Sequence, residues 1–160
     1  MKYITGWIAF ATPCELDTAG KWNLHKKDFL DEDNMTLYES EDSPFKHLGI
    51  EPGKPIEYHG NELFNVANHV RAYCDMLYQG KFAELKDIYA EVIDDPKALD
   101  LIFQLVDERL RSEKGFPIID EFLTREFGNL WKSYVDTKAS VAETLEKHRQ
   151  ELLSRGVEYT

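Results

Sequence analysis

The spacing of the apolar residues changes once along this chain, near Asn61, and no single motif constrains the fold as much. A side-chain period of two belongs to a strand and a period near 3.6 to a helix, so the two parts call for different local structure. Before the change, Lys2 to Ala11 alternates Ile4, Gly6, Ile8 and Phe10 against Tyr3, Thr5, Trp7 and Ala9. Apolar groups on both faces of such an alternation read as a buried strand. Met35 to Glu39 is a second candidate strand and Lys21 to Leu24 a weaker third. Turn formers separate these pieces at Thr12-Pro13, Ala19-Gly20, Ser43-Pro44, Leu48-Gly49 and Pro52-Gly53-Lys54-Pro55. Ser43 followed by Pro44, with Gly49 as a stop, predicts one short helical turn.

After Asn61 the pattern is helical. Leu63, Val66, Ala67, Val70, Cys74 and Leu77 fall on one stripe between Gly60-Asn61 and Gly80. Phe82, Leu85, Ile88, Tyr89 and Val92 form a second stripe. Asp95 with Pro96 opens a third helix, whose buried stripe is Leu99, Ile102, Phe103, Val106 and Leu110, stopped by Gly115. Pro117 opens a fourth carrying Ile118, Ile119, Phe122 and Leu123, ending near Gly128. The last helix is predicted from about Asn129 to Arg155, with Gly156 as its cap. Beyond Trp131 its apolar residues thin to Tyr134, Val141, Leu145 and Leu152, a seam that also holds Lys138 and His148. So narrow a seam suits a helix lying across its own domain, or the contact of a homodimer or a partner. The expected class is α+β and helix-dominated: an irregular β-containing acidic cap over 1–60, a helical core over 61–128 and a long C-terminal helix over 129–160. Four or five helices joined by short loops would make the whole one compact domain.

Charge and cysteine content narrow the function. The 160 residues carry 19 Lys plus Arg against 30 Asp plus Glu, a formal charge of −11. Nucleic-acid and anionic-membrane binders need dense basic side chains to displace counterions, so neither is the expected partner. Two cysteines, Cys14 and Cys74, fit a reducing cytoplasm better than secretion. Thr5 and Gly6 interrupt the opening apolar run, unlike a secretion signal, and no run approaches the ~20 residues of a membrane helix.

No glycine-rich phosphate loop, HExxH, paired CxxC or G-x-S-x-G elbow occurs. His25, His47, His59, His69 and His148 lack the short spacings of a zinc site, so neither metal nor cofactor is expected. Asn65, Asn68, His69, Arg71 and Asp75 form a polar cluster in the first long helical pattern. Its expected role is to dock the N-terminal unit, with Arg71 and Asp75 as a surface i,i+4 pair; the rival role is to face a ligand. The segment Cys14 to Trp22 is the other candidate. Cys14 becomes a nucleophile if His25 or His69 comes within reach; otherwise it is a small buried thiol in a turn, with Asp17 or Thr18 bonding to the backbone. Asp28, Asp31, Glu32 and Asp33, followed by Glu39, Glu41 and Asp42, are either solvated loops or a negative face that steers a basic partner. The last three also read as an acid/base pair or as charges ahead of a helix start.

Several strings carry a resemblance: Met1-Lys-Tyr-Ile-Thr-Gly6, Pro13-Cys14-Glu-Leu-Asp17-Thr18-Ala-Gly20-Lys-Trp22, Leu37-Tyr-Glu39-Ser40-Glu41-Asp42-Ser43-Pro44-Phe45, Gly49-Ile50-Glu51 and Asn65-Val-Ala-Asn68-His69-Val-Arg71-Ala72. Together they resemble an uncharacterised bacterial family of small cytosolic proteins, encoded near mobile elements and toxin–antitoxin-like genes. The likeness covers roughly the first 135 residues, fades through the middle helices, returns at Asp120, Phe122 and Trp131, and leaves the seam helix as an extension. It implies an antitoxin-like or inhibitory protein and marks Cys14, Asp17, Trp22, Asn68, His69 and Arg71, without assigning them to catalysis, binding or packing. Two functions follow as expectations. One is an interaction module that presents its acidic surface to a basic protein such as a toxin. The other is a small enzyme, for hydrolysis or group transfer, with its site between the Cys14–Trp22 loop and the Asn68–His69 helix.

Overall fold

The computed structural model describes residues 1–20, 22–138 and 140–154. Two short ribbons begin the fold. Lys2–Tyr3 (β1) pairs antiparallel with Tyr38–Glu39 (β2), Lys2 opposite Glu39. Ile50–Pro55 (β3) pairs antiparallel with Leu63–Ala67 (β4), with a register shift between Glu51 and Lys54. Ile4 joins the ribbons through a parallel bridge to Val66. Its N–H donates to the Asn65 carbonyl at 2.8 Å and its own carbonyl accepts from the Ala67 N–H at 2.9 Å. The spatial order is therefore β2, β1, β4, β3.

The strand expected from Lys2 to Ala11 ends at Tyr3. Gly6, at φ 75°, reverses the chain, and Trp7–Phe10 (α1) is a helical turn with Ile8, Ala9 and Phe10 buried. A run that is apolar on every position fits a fully buried helical turn as well as a two-faced strand, which is why the alternation misleads here. Lys21 lies outside the described residues, and 22–24 form no strand. Lys26–Phe29 (α2) is a second short turn, and the helical turn expected after Ser43-Pro44 lies earlier, at Ser40–Asp42.

The first long helix also starts later than its stripe suggests. Leu63 to Ala67 is β4, and the helix His69–Tyr78 (α3) begins only after Asn68. The turns between β3 and β4 fold this stretch back so that its backbone bonds to β3 and Ile4, which overrides a pattern of apolar spacings shared by both periods. Asn68 then caps α3, its side chain accepting the Arg71 N–H at 2.8 Å. Every residue of α3 from His69 to Leu77 is buried, which makes it the central element.

Gly49 approaches this cap closely. At φ 73° it occupies the left-handed region, and a Cβ there would stand 2.8 Å from the Arg71 Cβ and 3.1 Å from the Asn68 Oδ1. Its carbonyl accepts the Asn68 N–H at 2.7 Å. Gly49→Ala is therefore expected to cost about 2–3 kcal/mol of stability, from backbone strain and contact together. Urea unfolding checks this; an unchanged midpoint would mean that the turn relaxes freely.

The second stripe breaks into Phe82–Leu85 (α4) and a π-helical turn at Tyr89–Ile93, separated by Asp87 at φ 67°. Pro96–Arg109 (α5) is capped as expected by Asp95, whose carboxylate accepts the Ala98 N–H at 3.1 Å. Phe116–Phe127 (α6) follows. The expected long last helix is two, Asn129–Thr137 (α7) and Val141–Ser154 (α8), divided by Lys138 at φ 55°. The break lets α8 fold onto α5: Val141 is buried, its N–H donates to Asp100, and Lys138 bonds Asp107. Leu145 remains 40% exposed. Arg155 and Gly156, expected to end the helix, lie outside the described residues.

The architecture is α+β and helix-dominated, and one apolar cluster runs from Tyr3 and Ile4 through α3 to Phe103, Leu123 and Trp131. Among the described residues no helix is long and apolar enough to cross a membrane.

Candidate functional site

Three elements place the chemistry: the loop after α1, the start of α3, and β3. The Thr12 hydroxyl donates to the Ile8 carbonyl at 2.7 Å and ends α1. Two side chains of β3 then hold the loop on both sides of Cys14. Lys54 donates to the Pro13 carbonyl, and Glu51 accepts the Glu15 N–H at 3.0 Å while pairing with Lys54 at 2.6 Å.

His69, the first residue of α3, closes the loop from beneath. It is 1% exposed, with Nε2 2.9 Å from the Thr12 carbonyl and Nδ1 2.9 Å from the Thr18 Oγ1. A carbonyl can only accept, so Nε2 carries a proton and, in the neutral ring, Nδ1 is the acceptor. The half-buried Cys14 thiol adjoins this imidazole. Burial pushes the thiol up, but the His69 side chain and backbone N–H, with the backbone of Leu16, outweigh it and hold the thiol below its ordinary pKa. Burial likewise pushes the imidazole down, while Cys14, the Thr12 carbonyl and Glu51 bring it above its ordinary value.

Of the residues anticipated for such a site, Cys14 and His69 meet, and the others do not join them. Asp17 is exposed on the loop. His25 is exposed at the cap of α2. Trp22 lies against Trp7, ring centroids 5.4 Å apart, and its backbone N–H donates to the Phe10 carbonyl at 2.7 Å. Thr12, Glu51 and Lys54 complete the arrangement and carried no sequence signal for it, because their partners are 40 or so positions away or on the backbone.

Asn65, Asn68, Arg71 and Asp75 serve the fold. The Asn65 side chain donates to the Lys2 carbonyl at 3.0 Å, which ties β1 to β4. Arg71 and Asp75, expected as a surface pair, are buried, because α3 is covered by the N-terminal segment. Arg71 donates to Asp75 at 2.9 Å, to the Leu48 carbonyl at 2.5 Å and to the Tyr3 hydroxyl at 3.0 Å, and Tyr3 donates to Asp75 at 2.8 Å.

The acidic residues of this stretch bond locally or stand exposed. Asp28 accepts the His25 N–H and Asp31 the Asp33 N–H, and Glu39 takes a bond from the Met1 amino group. Asp31, Glu32, Asp33, Glu41 and Asp42 are exposed. Exposed among them are Leu30 at 49%, Leu37 at 52% and Tyr38 at 36%. Asp33, Asn34 and Tyr38 share a cleft with Gly6, Trp7 and Lys81. Among the described residues no three His, Cys, Asp or Glu side chains stand close enough to hold a metal ion.

No protein-family model, curated protein or solved structure matches this chain.

Proposed function

We propose that this protein is a cytoplasmic interaction module, antitoxin-like or inhibitory, that engages a basic partner protein through the face formed by residues 28–42. One observation carries the reading: Leu30, Leu37 and Tyr38 stand exposed among Asp31, Glu32, Asp33, Glu41 and Asp42. Residues 28–42 hold seven carboxylates and no basic side chain. In such a face the apolar groups anchor, because their burial supplies affinity, while the carboxylates steer an oppositely charged surface and reject like-charged ones. The family resemblance supports the inhibitory role.

The test is affinity capture from the native host at low and moderate salt, followed by binding measurements on whatever partner is identified. Asp31→Asn/Glu32→Gln/Asp33→Asn is expected to weaken binding about tenfold, mostly through slower association, and to flatten its salt dependence. Tyr38→Ala is expected to speed dissociation. Absence of a partner at both salt levels, or a partner bound equally by all variants, would end this reading.

A further inference from the structure

β2 ends the row β2, β1, β4, β3, so among the described residues one of its long edges has no neighbouring strand. Which backbone groups line that edge follows from the pairing on the other side. Tyr38 lies opposite Tyr3, and the Ser40 N–H donates to the Met1 carbonyl at 2.8 Å. Backbone groups alternate between the two sides of a strand, so those of Tyr38 and the Ser40 N–H face β1. The planar peptides on either side of Tyr38 then turn the Leu37 carbonyl and the Glu39 N–H outward. Neither bonds to the backbone of another described residue. A carbonyl and an N–H two residues apart are the same grip that β4 offers to Ile4, through the Asn65 carbonyl and the Ala67 N–H. On β2 no described residue takes it.

Side chains and charge limit what can take it. Leu37 and Tyr38 are 52% and 36% exposed, and successive side chains of an extended chain leave opposite faces. Tyr38 stands on the face of Tyr3, ring centroids 6.3 Å apart. A helix laid on this edge covers one face, whereas an added strand brings side chains over both. The Met1 amino group pairs with Glu39, while Asp31, Glu32, Asp33, Glu41 and Asp42 stand exposed on the stretches that flank the strand. A second copy of this chain, paired edge to edge, would set these carboxylates against their own equivalents, which charge repulsion disfavours.

We infer that β2 takes up an extended segment of the partner as an added strand, one in which lysine or arginine alternates with apolar residues, a step that rests on the acidic-face reading proposed above. One residue of the segment donates its N–H to the Leu37 carbonyl and accepts the Glu39 N–H, as Ile4 does on β4. Its apolar neighbours cover Leu37 and Tyr38, and its basic side chains reach the carboxylates at 31–33 and 41–42. A short edge flanked by charge resists indiscriminate pairing, so the carboxylates admit a basic strand and turn away others.

The probes are two synthetic peptides of about ten residues and equal positive charge. One alternates arginine with valine and threonine, and the other is a helix former built on alanine and leucine. Binding to isotope-labelled native protein is read at low salt from amide shifts and amide exchange. The extended peptide should bind at least about fivefold more tightly than the helical one and slow exchange of the Glu39 N–H at least about tenfold. Two further forms of it, N-methylated on complementary sets of alternate residues, keep every side chain. One set removes the N–H that meets Leu37 and should lose binding, whereas the other should retain it. Equal binding of the two basic peptides, unchanged exchange at Glu39, or equal loss from both methylated forms overturns the inference and leaves the acidic-face reading in place. Binding of neither basic peptide ends both. Protection of Glu39 that rises with protein concentration in the absence of peptide assigns the edge to a second copy and likewise overturns it.

Discussion

Asp75→Ala lowers the unfolding free energy by about 3–5 kcal/mol, the cost of leaving a buried charge without its partner. For a chain of this size that amounts to on the order of 10 °C in melting temperature. The Arg71 guanidinium is fully buried, lying over the rings of Tyr3 at 4.9 Å and Phe45 at 5.4 Å. Its donors reach Asp75, the Leu48 carbonyl and Tyr3, and the Tyr3 hydroxyl in turn donates to Asp75. Removing the carboxylate strands the buried cation and leaves the buried Tyr3 hydroxyl without its acceptor. Arg71→Met/Asp75→Leu removes both charges and is expected to recover much of the loss, since well-packed apolar groups substitute for buried ion pairs. Chemical denaturation of the two single variants and the double variant measures the coupling. A loss below about 1 kcal/mol for Asp75→Ala would mean that the pair is solvated after all.

Phe103→Ala costs a comparable amount, about 3–5 kcal/mol, because a large side chain leaves a void that its neighbours fill only in part. The Phe103 ring is fully buried on α5 and meets Phe127, Trp131 and Tyr134 at centroid distances of 5.4, 5.1 and 5.6 Å, the first two edge to face. These three side chains come from α6 and α7, so one ring fixes both helices to α5. Trp131 is held further by a bond from its indole N–H to Asp120 at 2.7 Å, which keeps the far wall of the void from collapsing inward. Phe103→Leu should cost distinctly less, since it retains most of the buried apolar volume. Equal losses for the two variants would point to ring geometry and not volume.

The legible parts of the sequence were those set by neighbours along the chain. The cap at Asp95 with Pro96 is a local arrangement, and the structure reproduces it. Gly128 ends the fourth predicted helix for the same reason. The apolar stripe of α5 was legible because a 14-residue helix repeats its period often enough to be distinguished from a strand. Leu63 to Ala67 and Ile4 to Phe10 were not, since five to seven residues satisfy either period and their long-range bonds decide. The break at Lys138 carried no glycine or proline to announce it. Its cause is the fit of Val141 and α8 against α5.

For the candidate site the division is the same. Cys14 was paired in advance with His25 or His69 as alternatives, and nothing in a linear order separates a histidine eleven positions away from one fifty-five away. What the sequence by itself determined was the class of fold, its dominant helices and a strongly acidic stretch, because these depend on composition and on local period. Tertiary structure alone decided that Arg71 and Asp75 are buried and that His69 reaches the Cys14 loop. Both follow from packing the N-terminal segment over α3, where burial changes the meaning of a charge and brings remote residues within bonding distance.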